Sequence, residues 1–582
     1  MGWGRVVGRG IAAHVLALGL VGCAAEPRLP DLTAIYAKVA EAGGDAARRP
    51  LITIPGTLGS RLRDSATGTV VWGGGSRGLS ADPEDPAEAR LIALPVLAPG
   101  APFAALRDGV EADGVLDRAT PEVLGIPLDI EVYGGVTRTL TAGGFRTGPA
   151  RRSRLLANLR HGGSGAEQVP PEPPRPPAAA AAAGDAAADD ASGDAGAGAV
   201  PLAAVAPGRA EALGDAALAA QAEAQVNAFR FDYDWRRDLP TLAAEFHDFV
   251  MLRRRQVAEA RSRLEGRQVG PDEVTFDLLA HSMGGLVARY YLMHGPAPLP
   301  EDGSLPPITW EGARHFNRAI IVATPHAGSI LAVDNLVNGK SLGPLQPFYP
   351  PVLLATHASV WQLFPRARHR RLREAGPGGR VLDPLDPSLW ERHRWGLLDP
   401  AGEELRAWLM PEIADPAERL ERAAAHQARL MRRAVQFQKA MDRWGPKPER
   451  LEVFLVVGGG FATPASAEVD PVTGALAITG REEGDGVVLR ASVLLDERQG
   501  LAEAGGLVTP LRFDSILFLP DEHVELTKNP VFGDNLLFWL LEQPREAEGL
   551  AEPKPGVFGG GGGRPQPVPA AAALASGAGA ER

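Results

Sequence analysis

Three side chains of this 582-residue chain have the types, order and local settings for covalent acyl chemistry: Ser282, Asp485 and His523. Ser282 lies in VTFDLLAHSMGGLVARYYLMH, Val274–His294, where a short apolar run gives way at Gly284 to helical spacing in Leu286, Val287, Tyr290 and Tyr291. The pattern predicts a buried strand, a tight turn at Ser282 and a helix. Ala280, Gly284 and Gly285 are small enough for the helix to fold back on its strand, so the stretch reads as a nucleophile elbow, although Ala280 departs from G-x-S-x-G. Such a turn lifts the hydroxyl clear of the sheet. It also aims the N–H of Met283 at charge developing on a substrate carbonyl oxygen.

A serine nucleophile needs a base, and the base needs an acid to orient it. Asp485 sits in the Gly-Asp-Gly turn of REEGDGVVLRAS, which aims a carboxylate outward. A hairpin turn is the bland alternative for that stretch. His523 is the single histidine C-terminal to Asp485, and the apolar, helix-like VFGDNLLFWLL follows it. Serine, acid, histidine is the order used by α/β-hydrolases. Glu482, Glu483, Asp521 and Glu522 are weaker acid candidates, because none combines a turn after a strand with flanking glycines. His326, in TPHAGS, follows Ser282 by one crossover and reads as a structural or site-wall residue. A second oxyanion donor is expected from LITIPGTLGSRLRD, where a glycine-containing loop follows a strand, with Thr57 or Leu58 supplying the N–H. Trp72, in VVWGGG, reads either as lining for the acyl site or as a core tryptophan.

The elements that position these residues alternate strand and helix. Apolar runs at Leu51–Ile54, Ala228–Asp232, Ala319–Ala323 and Leu451–Val457 and a helical pattern over Leu242–Leu264 predict an α/β fold, a mostly parallel, doubly wound sheet. The core is expected in three pieces, 50–164, 226–329 and 446–545. Between the first two, 165–225 is rich in Ala, Pro and Gly and is expected to be a disordered insertion; 330–445, without strand rhythm but with a helix over Pro416–Met441, is expected to be a cap; 546–582 is a low-complexity tail. Residues 1–22 read as an export signal ending in LVGC, and 23–49 as a tether.

The net charge of −11 and the lack of a long basic cluster argue against nucleic acid as a partner. Cys23 is the one cysteine, which excludes intramolecular disulfides; no Cys/His cluster offers a metal site, and the chemistry calls for no metal or organic cofactor. LVGC resembles the lipobox of bacterial lipoproteins, which implies a diacylated Cys23 and contact with a membrane through that anchor. Ala24 in place of Asp implies the outer membrane.

The ordered series IPGTLGS, YDWR, AHSMGG, ATPHAGS, SVWQLFP, GDGVV and His523 resembles the lecithin:cholesterol acyltransferase family, which includes phospholipid:diacylglycerol acyltransferases. The resemblance runs over most of residues 50–545. It implies an α/β-hydrolase with a cap and a serine-dependent acyltransferase or hydrolase acting on phospholipid or acylglycerol esters. This chain departs from the family in His326, where an aromatic is usual, in lacking the family's disulfides, and in a GDGVV without the usual Thr. An esterase, depolymerase or protease with the same triad, and a non-catalytic surface-binding lipoprotein, are the alternative readings.

Overall fold

The computed structural model describes residues 35–38, 40, 48–75, 78–119, 122–123, 126–127, 130–131, 133–147, 226–341, 347–497 and 509–542. The chain divides into a unit of residues 1–541 and a unit of 542–582. The signal segment, Cys23, the 165–225 insertion and the tail lie outside the described residues. Among the described residues no helix is long and apolar enough to cross a membrane.

Six strands make the central sheet: β1 (Leu51–Ile54), β2 (Ala228–Arg230), β3 (Phe276–His281), β4 (Phe316–Val322), β5 (Glu452–Gly458) and β6 (Ser515–Leu519). Their order is β2-β1-β3-β4-β5-β6, and every neighbouring pair is parallel. All six residues of β3 are buried, as a parallel strand covered on both faces requires. Alternation along the strands divides the core in two. Ile52, Ile54, Leu278, Ala280, Ile321 and Leu455 face one apolar cluster, and Leu51, Leu279, Ile320, Val322, Phe454 and Val456 face the other. The first face is covered by helices α2 (Leu239–Glu265) and α3 (Met283–His294), through residues such as Phe246 and Val287. The second is covered by α1 (Gly134–Ala142) and α5 (Pro530–Leu537), through Leu140 and Phe532. Helices on both faces of a parallel sheet, with an elbow after β3, make this an α/β-hydrolase fold.

Local sequence sets the helix limits. Asp238 caps α2 by accepting from the Thr241 N–H, Pro240 occupies the first turn, and Gly266, at φ 64°, ends the helix. Helix α4 (Pro416–Met441) begins the same way, with Asp415 accepting from the Ala417 N–H.

The 330–445 segment differs from its expected lack of strands. Leu372–Glu374 pairs antiparallel with Val381–Leu382 and parallel with the hairpin Phe461–Val469/Leu476–Gly484, giving a four-stranded sheet outside the main one. Runs of two and three residues are too short to register as alternation, and their partner lies about ninety residues away in sequence.

Arg366 and Arg368 bind Asp442 within this segment, while Arg368 and His369 bind Glu497 and so join it to the chain beyond β5. Burial works against the Glu497 carboxylate, but hydrogen bonds from Arg368 and His369 hold its pKa down to about 2, from 4.5. A depressed carboxylate pKa gives stability that is complete above the unfolded value and is lost as pH falls through the folded one. The difference in unfolding midpoint between wild type and Glu497→Gln should therefore be constant above pH 4.5 and shrink towards pH 2. Thermal unfolding across that window checks it; a difference independent of pH would contradict it.

Candidate active site

Thr57 and Leu58, Ser282, His326, Asp485 and His523 follow β1, β3, β4, β5 and β6 in turn, at the carboxyl ends of the parallel strands, where α/β sheets open a crevice. Ser282 follows β3 with φ 54° and ψ −128°, a strained backbone held by its surroundings. Its N–H donates to the Val322 carbonyl at 2.8 Å. The two glycines after it are required: a Cβ on Gly284 would stand 2.3 Å from the Pro55 oxygen, and one on Gly285 1.9 Å from Thr324 Oγ1. The elbow is therefore wedged between the loop after β1 and the loop after β4.

His523, after β6, spans the gap between serine and acid. Its Nδ1–H donates to Asp485 Oδ2 at 2.7 Å, and Nε2 lies 2.9 Å from Ser282 Oγ. With the proton on Nδ1, Nε2 is free to accept from the serine hydroxyl. Asp485 stands in the turn that ends the hairpin after β5; its Oδ1 accepts from the N–H groups of Val487 at 3.0 Å and Val488 at 2.7 Å. Burial opposes its ionisation. The hydrogen bond and charge of His523, with those two N–H groups, nevertheless hold the carboxyl below its ordinary range. The His523 N–H also donates to the Asp485 carbonyl at 2.9 Å, fixing the two backbones together. Three of the four weaker acid candidates have other partners: Glu482 pairs with Arg371, Glu483 with Arg490, and Asp521 accepts from Asn529.

The loop after β1 lies against Ser282. A Cβ on Gly56 would be 2.7 Å from Ser282 Cβ, and Thr57 Oγ1 lies 3.3 Å from Met283 Sδ. Gly59 N–H to Gly56 O, at 3.1 Å, closes a turn with Thr57 and Leu58 at its centre, and Leu58 has φ 63°. The Met283 N–H, at the first helical position, has no intrahelical acceptor. Trp72 is buried against this loop as a core tryptophan would be: it donates Nε1–H to the Leu58 carbonyl at 2.8 Å and packs edge-on against Trp235 at 5.7 Å. The YDWR stretch braces the same loop, with Tyr233 donating its hydroxyl to the Pro55 carbonyl at 2.7 Å. Ser359 and Gln362 of SVWQLFP hold the far side, bonding to the Trp235 carbonyl and to Asp238.

Two residues that the sequence pattern did not single out complete the framework. The Tyr133 hydroxyl accepts from the Gly56 N–H at 2.7 Å and donates to His281 Nδ1 at 2.8 Å, while His281 Nε2 donates to the His523 carbonyl at 3.1 Å. Burial, then the neighbouring His523, pushes the His281 pKa down to about 3, so the imidazole is neutral and these donor roles are fixed. The chain of bonds ties the β1 loop to the backbone of His523. Its one sequence signal is the position of His281 directly before Ser282; Tyr133 lies 148 residues earlier.

A family model, lecithin:cholesterol acyltransferase, matches residues 221–374. That span holds Tyr233–Arg236, the elbow, Ala323–Ser329 and Ser359–Pro365, while Asp485 and His523 lie beyond it. Among solved structures the chain is similar to the Tle4–Tli4 complex, at 14% identity and TM-score 0.44, covering 85% of this chain and 100% of that one. It is also similar to Bacillus licheniformis lipase BlEst2 in its propeptide form, at 13% identity and TM-score 0.24, covering 57% of this chain and 47% of that one. Lipase 1 from Pelosinus fermentans is similar at 12% identity and TM-score 0.21, covering 47% and 72%. No curated protein matches the chain.

The wedge at the elbow gives a direct test. Gly285→Ala places a methyl group on Thr324 and should destabilise the fold by about 1–3 kcal/mol, the usual cost of overpacking. Denaturant unfolding measures it, and an unchanged midpoint would mean that the helix can move off the β4 loop.

Proposed function

We propose that this chain is a serine-dependent acyltransferase or hydrolase of lipid acyl esters. The observation that carries the reading is the unbroken hydrogen-bond path from Asp485 through His523 to Ser282 at a strained elbow. In the first step Ser282 Oγ attacks the ester carbonyl and His523 Nε2 takes its proton. Asp485 holds the tautomer and stabilises the imidazolium. The N–H groups of Met283 and of Thr57 or Leu58 receive the oxyanion. Collapse expels the alcohol, which takes the proton from His523 and leaves an acyl-enzyme. Water or a second alcohol then attacks that ester with His523 as base, and Ser282 is regenerated.

The match to the lecithin:cholesterol acyltransferase family supports a lipid ester as substrate. Val487 and Val524, two residues and one residue past the acid and the base, are 42% and 40% exposed, an apolar rim suited to acyl chains. A lipid anchor on Cys23, facing the periplasm or the cell surface from the outer membrane, would concentrate such substrates beside the site. Mass spectrometry of the mature N-terminus should find a diacylated Cys23, and an unmodified N-terminus beyond it would exclude the anchor.

Turnover of labelled phospholipid or acylglycerol in vesicles that also contain a long-chain alcohol tests the reading. Fatty acid or acylated alcohol should form. Ser282→Ala and His523→Ala should lose nearly all activity, and Asp485→Asn should lose about 10⁴-fold in kcat, with folding intact. Turnover by Ser282→Ala would exclude the mechanism.

A further inference from the structure

A cavity of about 40 Å³ lies between the C-terminal half of α3 and the stretch Pro510–Arg512 that leads into β6. Its lining runs from His326 and Arg289, which are buried, to Arg443 and Arg512, which are exposed, with Trp310 between them. Among the described residues, four polar atoms of this lining make no hydrogen bond: Arg289 Nη1, Trp310 Nε1 and both ring nitrogens of His326. Arg289 donates Nη2–H to the Met441 carbonyl and meets no carboxylate among the described residues. Asp442, whose charge acts on Arg289, is engaged by Arg366 and Arg368. Burial lowers the Arg289 pKa to about 10, which leaves the guanidinium charged at neutral pH. A buried cation without a counter-charge is unfavourable enough that native structures almost always pair it.

We propose that this cavity binds a small monovalent inorganic anion, of the size of chloride, held by the Arg289 guanidinium, the Trp310 indole N–H and the His326 imidazole. Water is the competing occupant, and the uncompensated charge of Arg289 together with the excess of donors favours the anion. Arg289 Nη1, Trp310 Nε1 and one His326 nitrogen are donors, against one histidine nitrogen able to accept. At about 10–15 Å³ for each water the volume holds more than one, and several waters could accept from all three donors but would leave the charge unpaired, whereas an anion accepts from the donors and neutralises it. The volume admits water-sized occupants and excludes large organic ones. Arg443 and Arg512 put positive charge on the exposed side, which draws anions inward. The His326 carbonyl accepts from Arg366 at 2.9 Å, so its backbone is already held in place.

The test uses the full chain and does not depend on turnover, so its outcome is separate from that of the function proposed above. Sodium chloride is exchanged for sodium gluconate at constant ionic strength while the unfolding midpoint is followed, and crystals soaked in sodium bromide are measured at the bromine absorption edge. Chloride should raise Tm saturably by roughly 2–4 °C over gluconate. Bromide should give an anomalous peak within hydrogen-bond distance of Arg289 Nη1 and His326. His326→Phe and, separately, Arg289→Met should lose both signals. If a variant fails to fold, the wild-type peak and shift decide. Equal midpoints in the two salts with water in the cavity would overturn the proposal, as would a bromide peak without a saturable shift, an adventitious ion only.

Discussion

Ser282 holds φ 54° and ψ −128°, a conformation that costs an L-residue about 1–3 kcal/mol and persists only where the surroundings over-determine it. Here the surroundings are the Pro55 carbonyl against Gly284, Thr324 against Gly285, and the Val322 carbonyl accepting from the Ser282 N–H. All three come from the strands on either side of β3 or from the loops that directly follow them. The register of β1, β3 and β4 therefore also positions Ser282. A shift of one residue in either pairing would remove a contact that holds the turn.

The same economy governs the rest of the site. The loop after β1 is held by hydrogen bonds from Tyr233 to the Pro55 carbonyl, from Trp72 to the Leu58 carbonyl and from the Gly56 N–H to Tyr133, three residues far apart in the chain. Tyr133 then passes the constraint to His281 and on to the His523 carbonyl. The loop after β1, Ser282 and His523 are thus parts of one hydrogen-bonded body. Such rigidity is what electrostatic stabilisation of a transition state requires, since donors must be in place before charge develops.

How much of this was legible in the sequence follows from how local each feature is. Strand β3, the glycines of the elbow and the limits of Pro416–Met441 are written in contiguous apolar runs, turn residues and a capping Asp415, and each lies where the pattern puts it. Asp485 and His523 were singled out by chain order and turn chemistry, and the structure brings them to 2.7 Å of each other across 38 residues. The pairing of Leu372–Glu374 with the Phe461–Gly484 hairpin left no trace, because three residues carry no period. The roles of Trp72 and Tyr133 and the unpaired charge of Arg289 depend on partners that only folding brings close. His326 reads in the sequence as a wall residue; its two unbonded nitrogens appear only in three dimensions.

The account depends on Ser282 carrying the acyl group in transit, and trapping that ester tests it most directly. The full-length protein is mixed with an activated acyl ester, quenched in acid within its turnover time, digested and mapped by mass spectrometry. The account predicts one acyl adduct, on the peptide containing Ser282, which forms at the rate of alcohol release and disappears when water or an acceptor alcohol is allowed to react. Product formation without any adduct on Ser282, or with the adduct on another residue, would contradict it.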